Sequence, residues 1–492
     1  MTVTAQQLAD EASKVWAGLD GRPLGPKDRL SIPLQEMPAQ DPLVRAKNMQ
    51  EVALGYTADQ ARVEASRCLQ CKTAPCVSGC PVSIDIPRFL GLAADGKFAD
   101  ALGVIREASL LPAICGRVCP QESQCQAPCT LGKSLKNPLM AVAIGRVERY
   151  VADTCSADLP LPTVKPATGK KVAVIGSGPA SIAAAADLRQ GGHEVTVFEA
   201  FHKPGGVLVY GIPEFRLPKA IVDREVDTLR RIGVKIETNF LVGRTRKLKD
   251  LLTQDGFDAV FVGTGAGLPK FMKIEGENLV GVFSANEYLT RCNLMKAYDD
   301  DRAATPIYRS KRVAVLGGGN VAMDAARSAL RLGAEKVSIV YRRSLEEMPA
   351  RQEEVHHAQE EGVEFLTLKN AQRVLGDDQG RVRAVETLTY VLGEKDASGR
   401  RSPVAVPGSE ALLEVDTVIV AIGNDSNPLL RQTTPELEVN KHGNFVVDAD
   451  GQTSMPRVWA GGDIVLGAAT VILAMGQGRK AAAAIHRFLT AS

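Results

Sequence analysis

From residue 170 onward the chain alternates short, almost wholly apolar runs with alanine-rich stretches of helical period. Val172-Ala173-Val174-Ile175 reads as a buried strand, an alanine-rich helix opens at Pro179, and Glu194-Val195-Thr196-Val197-Phe198 reads as the next strand. The pattern recurs at Arg312-Val313-Ala314-Val315-Leu316, with a helix over 321–332 and a strand over 337–341. Two further apolar runs, 259–262 and 417–421, precede Gly263-Thr264-Gly265 and Ile422-Gly423. They are expected to be the crossings where the second unit leaves and rejoins the first. A closing segment, Arg457 to Asp463, returns to the first unit. Residues 172–492 are thus expected to be used up by two βαβ-type units.

The N-terminal third has a different texture. Residues 1 to about 65 read as a polar lead-in broken by Pro33, Pro38 and Pro42, with a helical stretch from Thr57 to Cys68. Short helices are expected over 86–95 and 98–107. Pro160, Pro162 and Pro166 mark a linker, because proline and glycine resist continuation of regular structure. The expected division is a helical domain over 1–165, a first nucleotide unit over 166–290 and 425–492, and a second over 291–424.

Composition narrows the class. The chain has 492 residues, 59 basic against 57 acidic, with 45% hydrophobic and 24% charged. Near-neutral charge gives no reason to propose nucleic acid, and no apolar run approaches the roughly 20 residues of a membrane helix. Met1-Thr2-Val3-Thr4-Ala5-Gln6 lacks a basic and then apolar leader, so no secretory signal is read. Eight of the ten cysteines crowd between Cys68 and Cys129. Such clustering in a large chain points to metal rather than disulfides and to a reducing compartment, the cytoplasm.

The cysteines read Cys68-x2-Cys71-x4-Cys76-x3-Cys80-Pro81 and Cys115-x3-Cys119-Pro120, then Cys125-x3-Cys129. Thiolates suit zinc or iron–sulfur clusters. Runs ending in Cys-Pro favour clusters, although two-cluster ferredoxins have x2 where this chain has x4. Counting alone gives two clusters of four cysteines. Cys155 and Cys292 stand apart and read as packing residues.

Gly176-x-Gly178-x-x-Ser181 follows a strand and opens a helix, so a pyrophosphate can approach the backbone at the helix N-terminus. Ser181 replaces the usual third Gly or Ala. Glu199 ends the next strand, where a carboxylate accepts ribose hydroxyls. Gly317-x-Gly319-x-x-Ala322, which includes Asn320, repeats the arrangement, but its next strand ends in Tyr341-Arg342-Arg343 with no carboxylate. Arginines there suit the 2′-phosphate of NADP(H) rather than NAD(H). Clusters move single electrons and nicotinamides move hydrides, so a chain with both is expected to hold a flavin.

Cys68 to Pro87 and Ile114-Cys115-Gly116-Arg117-Val118-Cys119-Pro120 resemble the cluster domain of the NADPH-dependent glutamate synthase small-subunit family. A similar domain occurs in dihydropyrimidine dehydrogenase. Gly205-Gly206, Gly211 to Pro218, Tyr341-Arg342-Arg343 and Glu347 to Arg351 resemble the same family. Gly461-Gly462-Asp463 resembles the late motif of two-dinucleotide flavoproteins, with a helix entered near Thr470 directed at the flavin. The resemblance implies an α/β fold with two Rossmann-like domains, for FAD and NADP, the second inserted in the first, behind a mostly helical iron–sulfur domain. It implies FAD contacts from Gly206, Gly211, Gly462, Asp463 and Thr470. It further implies two 4Fe–4S clusters: Cys68, Cys71, Cys76 and Cys129 on one, and Cys80, Cys119, Cys125 and a glutamate on the other. Glu148 is that glutamate, with Cys115 the alternative.

The implied activity is transfer of electrons from NADPH through FAD and the clusters to a catalytic partner subunit, the glutamate synthase large chain. No catalytic side chain beyond cofactor contacts is named. Met37-Pro38-x-Gln40-Asp41-Pro42 and Gly55-Tyr56-Thr57 look closer to a longer branch. That branch includes the large subunit of electron-bifurcating NADH-dependent ferredoxin:NADP oxidoreductase and a sulfide dehydrogenase subunit, with a smaller flavin and iron–sulfur reductase subunit, or ferredoxin, as partner. An oligomer is expected either way. Disulfide chemistry of the thioredoxin reductase type fails, because no cysteine pair lies outside the cluster region.

Overall fold

The computed structural model describes residues 4–19, 21–156, 160–397 and 399–491. Met1 to Val3 of the N-terminal stretch, in which no secretory signal is read, lie outside the described residues. No helix among them is long and apolar enough to cross a membrane.

The first nucleotide unit is a five-stranded parallel sheet in the spatial order Val458–Ala460, Ala259–Val262, Lys171–Ile175, Glu194–Phe198, Lys235–Glu237. Its central strands are buried along almost their whole length, as valine-rich strands covered on both faces must be. Lys171 pairs with Glu194 and Ile175 with Phe198, so Gly176 and Glu199 leave the sheet at the same carboxyl edge. Ligands bind at that edge in open α/β sheets. Helices Pro179–Gln190 and Val471–Thr490 cross in close contact; a Cβ on Gly478 would lie 2.0 Å from the Ala180 carbonyl oxygen.

The second unit is also five parallel strands, ordered Val282–Ser284, Thr417–Val420, Arg312–Leu316, Lys336–Tyr341, Glu364–Thr367. The expected boundary at 290/291 therefore falls inside this unit. Val282–Ser284 is too short to show a period, yet it pairs with Thr417–Val420, and helix Ala285–Asn293 packs on helix Asn320–Arg331. Leu268–Pro269 and Asn424–Asp425, the outgoing and returning crossings, pair with each other.

Two elements lie outside the sequence expectation. Strands Lys369–Gly376, Val382–Lys395, Arg401–Ala405 and Ala411–Glu414 form an antiparallel sheet inserted in the second unit, so two βαβ units do not use up the C-terminal part. The polar lead-in holds helix Ala5–Leu19, which buries only Ala12 and packs on helix Ala58–Ser66. The cysteine domain is helical as expected, with Ile86–Ala94, Phe98–Ala108, Pro112–Val118 and Ile144–Cys155 around Leu90, Leu102, Ile105, Ile114 and Val147. Its core is continuous with that of the first unit.

Ionic contacts join the bodies. Arg216 reaches from the first unit to Asp324 of the second at 2.7 Å. Glu361 receives Arg45 at 3.0 Å and Arg327 and Arg331 each at 2.7 Å, with its side chain fully buried. Arg351 donates to the Arg117 carbonyl at 2.7 Å and to Gln121 at 3.1 Å, tying the second unit to the cysteine domain.

Candidate cofactor sites

The cysteines are gathered by a buried clamp. Arg67 pairs with Glu64 at 2.7 Å and donates to the carbonyls of Met140 (2.7 Å) and Ala141 (3.2 Å). Glu64 also accepts from the Ala143 amide at 2.7 Å. The end of helix Ala58–Ser66, just before Cys68, is thereby fixed to the start of helix Ile144–Cys155, which carries Glu148.

Mutual electrostatics sort the thiols into two groups. Burial pushes the Cys68 thiol up to about 11, and Cys129 and Cys71 act on it in the same direction. Burial and then Cys68, Cys129 and Cys71 push Cys76 up to about 12. These four form one set. In the other, Cys119 is raised by a hydrogen bond with Cys115 and by burial, with Glu148 and Cys125 adding to it. Burial raises Cys125 and Cys80 too, and both feel Glu148; Cys125 also feels Cys76, so the two groups are neighbours. Thiols raised in this way ionise together only against a bound cation. No three His, Cys, Asp or Glu among the described residues stand close enough to hold a single metal ion.

Glu148 is 6% exposed, and its Oε1 has no hydrogen-bond partner. Burial pushes its carboxyl up to about 8. An orphaned buried carboxylate is costly unless a cation meets it. The group therefore fits as the fourth ligand beside Cys80, Cys119 and Cys125. Cys115 is fully buried in contact with Cys119, and its sulfur accepts from the Ser109 hydroxyl at 3.9 Å. Cys292 lies in the core of the second unit, as a packing residue should.

At the first dinucleotide site Gly176 has φ +90°, and a Cβ there would lie 2.7 Å from the Gly263 oxygen. Space in front of Gly178 is open for 4 Å, and the helix it caps has no side-chain cap, leaving its first amides for a phosphate. Ser181 fits the third fingerprint position because Gly263 opposite it has no side chain; its hydroxyl donates to the Gly263 carbonyl at 3.4 Å. Glu199 is buried and oriented by the Phe201 amide at 2.8 Å and by the Ser177 hydroxyl. Ser177 in turn accepts from the Gly205 amide at 2.9 Å, which seats the Gly205-Gly206 turn against Gly178. The variable position of the fingerprint hid that role.

The far end of the chain closes the same site. Gly462 has φ +79°, lies against Ala180, and donates its amide to Gln477 at 2.6 Å. Burial pushes the Asp463 carboxyl up to about 6, although the Ala469 amide donates to it. Tyr210, next to Gly211, is pushed up to about 12 by burial and then by Asp463 and Glu199, which places both carboxylates near one ring. Thr470 caps helix Val471–Thr490 and accepts from Gln124, the neighbour of Cys125, at 3.3 Å. These residues fit a flavin dinucleotide at the sheet edge, where Gly206, Gly211, Asp463 and Thr470 would hold it.

The second site is a cavity of about 610 Å³ lined by Gly317, Gly319, Asn320, Arg342, Arg343 and Arg400, among others. A Cβ on Gly317 would lie 2.3 Å from the Ala421 oxygen, and Ala322 is fully buried behind the loop. Asn320 accepts from the Arg351 amide at 2.9 Å, so it anchors the loop that follows the arginines. Arg343 is buried and donates to Asp396 at 2.6 Å and to the Arg401 carbonyl at 2.7 Å. Arg342 is exposed. Of the two, only Arg342 stays exposed at the cavity, while Arg343 is committed to the antiparallel sheet. Arg400 went unseen because no strand pattern marked that insertion as part of the site.

Comparison with known proteins agrees with this geometry. Residues 170–478 match the pyridine nucleotide-disulphide oxidoreductase family, and residues 45–158 match dihydropyrimidine dehydrogenase domain II, 4Fe-4S cluster. The chain is 39% identical to the glutamate synthase [NADPH] small chain of Azospirillum brasilense, over 93% of this chain and 95% of that one. The corresponding small chain of Escherichia coli is 36% identical over 93% and 98%. The NADP(+)-dependent formate dehydrogenase subunit beta of Moorella thermoacetica is 40% identical over 85% of this chain and 60% of that one. Mycobacterium tuberculosis FprA in complex with NADPH shares the fold alone, with a TM-score of 0.55 at 19% identity over 66% of this chain and 85% of that one. With both dinucleotide edges and the cysteine domain in place, near-full-length identity of this order makes the chain a member of the NADPH-dependent glutamate synthase small-chain family of flavin and iron–sulfur oxidoreductases.

Proposed function

We propose that this chain draws electrons from NADPH and hands them singly, across two 4Fe–4S sites, to a glutamate synthase large chain that makes glutamate from glutamine and 2-oxoglutarate. A flavin at the first site would supply the change from hydride to single-electron transfer, which nicotinamides and clusters cannot provide alone. The observation that carries the reading is the gathering of the cysteines around an unpartnered buried Glu148 in a helical domain whose Gln124, beside Cys125, reaches the helix that closes the first dinucleotide site.

The roles of the side chains follow from their places. Gly176, Gly178 and Ser181 would admit a pyrophosphate to the helix N-terminus, and Glu199 would accept ribose hydroxyls. Asp463 and Thr470 would hold the ribityl end, with Gly206 and Gly211 shaping the floor. Gly317, Gly319 and Ala322 would seat the NADPH pyrophosphate, with Arg342 on its 2′-phosphate. Proteins named glutamate synthase small chain from three bacteria favour this partner over a ferredoxin-linked or sulfide dehydrogenase type complex. The formate dehydrogenase relative is itself named a subunit beta, in keeping with work beside a partner. We place the protein in the cytoplasm, in an oligomer with that partner.

The test mixes the purified chain with a glutamate synthase large chain and follows NADPH oxidation anaerobically. Oxidation that needs both glutamine and 2-oxoglutarate supports the proposal. Oxidation indifferent to them, or absent with an active large chain, contradicts it.

A further inference from the structure

The two cysteine sets differ in what surrounds them, and the difference gives the molecule a direction. The segments that carry Cys80 and Cys125 pack on the helix that closes the first dinucleotide site. Val82, two residues beyond Cys80, packs so tightly on helix Val471–Thr490 that a Cβ on Gly476 would lie 2.7 Å from it. Gln124, beside Cys125, donates to Thr470 at the same helix. Each set keeps one cysteine half-exposed, Cys125 in this one and Cys71 in the other, where Cys68, Cys76 and Cys129 are buried.

The chain segments that carry Cys71 and Cys129 are basic between Glu64 and Asp85 and between Glu122 and Glu148. Residues 65–84 and 123–147 contain no aspartate or glutamate, yet they hold Arg67, Lys72, Lys133, Lys136 and Arg146. Arg67 is neutralised by Glu64 and Arg146 faces Glu353 at 3.5 Å, but Lys72, Lys133 and Lys136 are exposed. Lys72 follows Cys71 in the chain. Lys133 sits one turn beyond Cys129, its amide donating to the Cys129 carbonyl at 3.2 Å. Arg29 donates to the Cys68 carbonyl at 2.9 Å, and exposed Lys27 is two residues away, with Asp28 between them paired to Arg22. The chain as a whole is nearly neutral, so this concentration is local. Leu139, 67% exposed, adds an apolar point on the same segment.

We propose that this face, centred on Cys71 and carrying Lys27, Arg29, Lys72, Lys133 and Lys136, is where an acidic electron-accepting protein docks. The inference rests on the relay proposed above and adds which side of the molecule releases the electrons and what charge the acceptor presents. Charge complementarity sets the encounter rate and the register of redox partners, so a basic rim around Cys71 is what an acidic partner would be steered by. Oxidation of one NADPH to NADP⁺ releases one proton and reduces two one-electron acceptors.

Two small haem proteins serve as probes: the soluble domain of cytochrome b5, which is acidic, and cytochrome c, which is basic. Isotope-labelled cytochrome b5 is mixed with the full oxidised chain, and broadening of its amide NMR signals reports docking without turnover. Broadening is expected at about 20 mM salt and its loss at about 200 mM, where screening shortens the reach of the charges. The variant Lys72→Glu/Lys133→Glu/Lys136→Glu, with iron content and NADPH-driven bleaching of its own absorbance intact, should lose the broadening. It should reduce cytochrome b5 about tenfold more slowly and cytochrome c faster. Equal broadening by wild type and variant, or a wild-type preference for cytochrome c, overturns the proposal. Docking that persists while NADPH fails to reduce the cytochrome would support the face and sink the relay on which it was built.

Discussion

Glu148 concentrates the ligand question in one side chain. It is buried, lacks a partner for one oxygen, and stands among Cys80, Cys119 and Cys125. Glu148→Ala should remove one of two reduced-state paramagnetic resonance signals and lower iron from about eight to about four per chain. Two intact signals would move the ligation to Cys115. At the nucleotide, Arg342→Ala should weaken NADPH by roughly 1.5–3 kcal/mol, about ten- to a hundredfold, and leave NADH nearly unchanged. Equal loss for both nucleotides in equilibrium binding would show that Arg342 does not meet the 2′-phosphate. Arg343→Ala should act on the hairpin that holds Asp396 and Arg401 rather than on that discrimination. The sequence offered the two arginines as equals. Only the antiparallel sheet, invisible to a search for βαβ periodicity, distinguishes them.

Elements were legible where a short buried strand met a glycine loop. Strands Lys171–Ile175, Glu194–Phe198 and Arg312–Leu316 lie as the apolar runs indicate, because parallel strands buried on both faces tolerate little polarity. Helix Ala5–Leu19 escaped notice because it rests on its neighbour by a shallow face and buries one alanine. Val282–Ser284 escaped because three residues carry no period, and its place is set by Thr417–Val420 far along the chain. Helix Val471–Thr490 shows a constraint that pattern alone does not mark, since Gly478 is required by the backbone of Ala180. Gly478→Ala should force the two helices apart, costing about 1–3 kcal/mol of stability and lowering retained flavin. A variant with unchanged unfolding midpoint and flavin content would show that the crossing is looser than this geometry.

At the scale of the molecule, buried ion pairs hold the second unit against the rest. Burial alone would raise the Glu361 carboxyl, but hydrogen bonds from Arg327 and Arg331 and their charges bring it down to about 2. A carboxyl lower in the folded than in the unfolded chain contributes stability that is complete above its unfolded value of 4.5 and is lost as pH falls toward about 2. Glu361→Gln should therefore cost about 3–5 kcal/mol at neutral pH, since it leaves buried arginines uncompensated. Its deficit in anaerobic urea unfolding should narrow as pH is lowered from about 4.5 toward 2. A deficit independent of pH would place the origin in packing instead. The pairing of Arg45 with Glu361, 316 positions apart, had no signal in the sequence, because ionic partners follow no period.

All three scales meet in the claim that one chain joins NADPH to single-electron release. Anaerobic titration of the purified protein with NADPH, with iron, sulfide and flavin quantified on the same sample, tests it most directly. About eight irons and one FAD per chain are expected, with bleaching by NADPH and little by NADH. Zinc in place of iron, or a flavin that NADPH leaves oxidised, would contradict it.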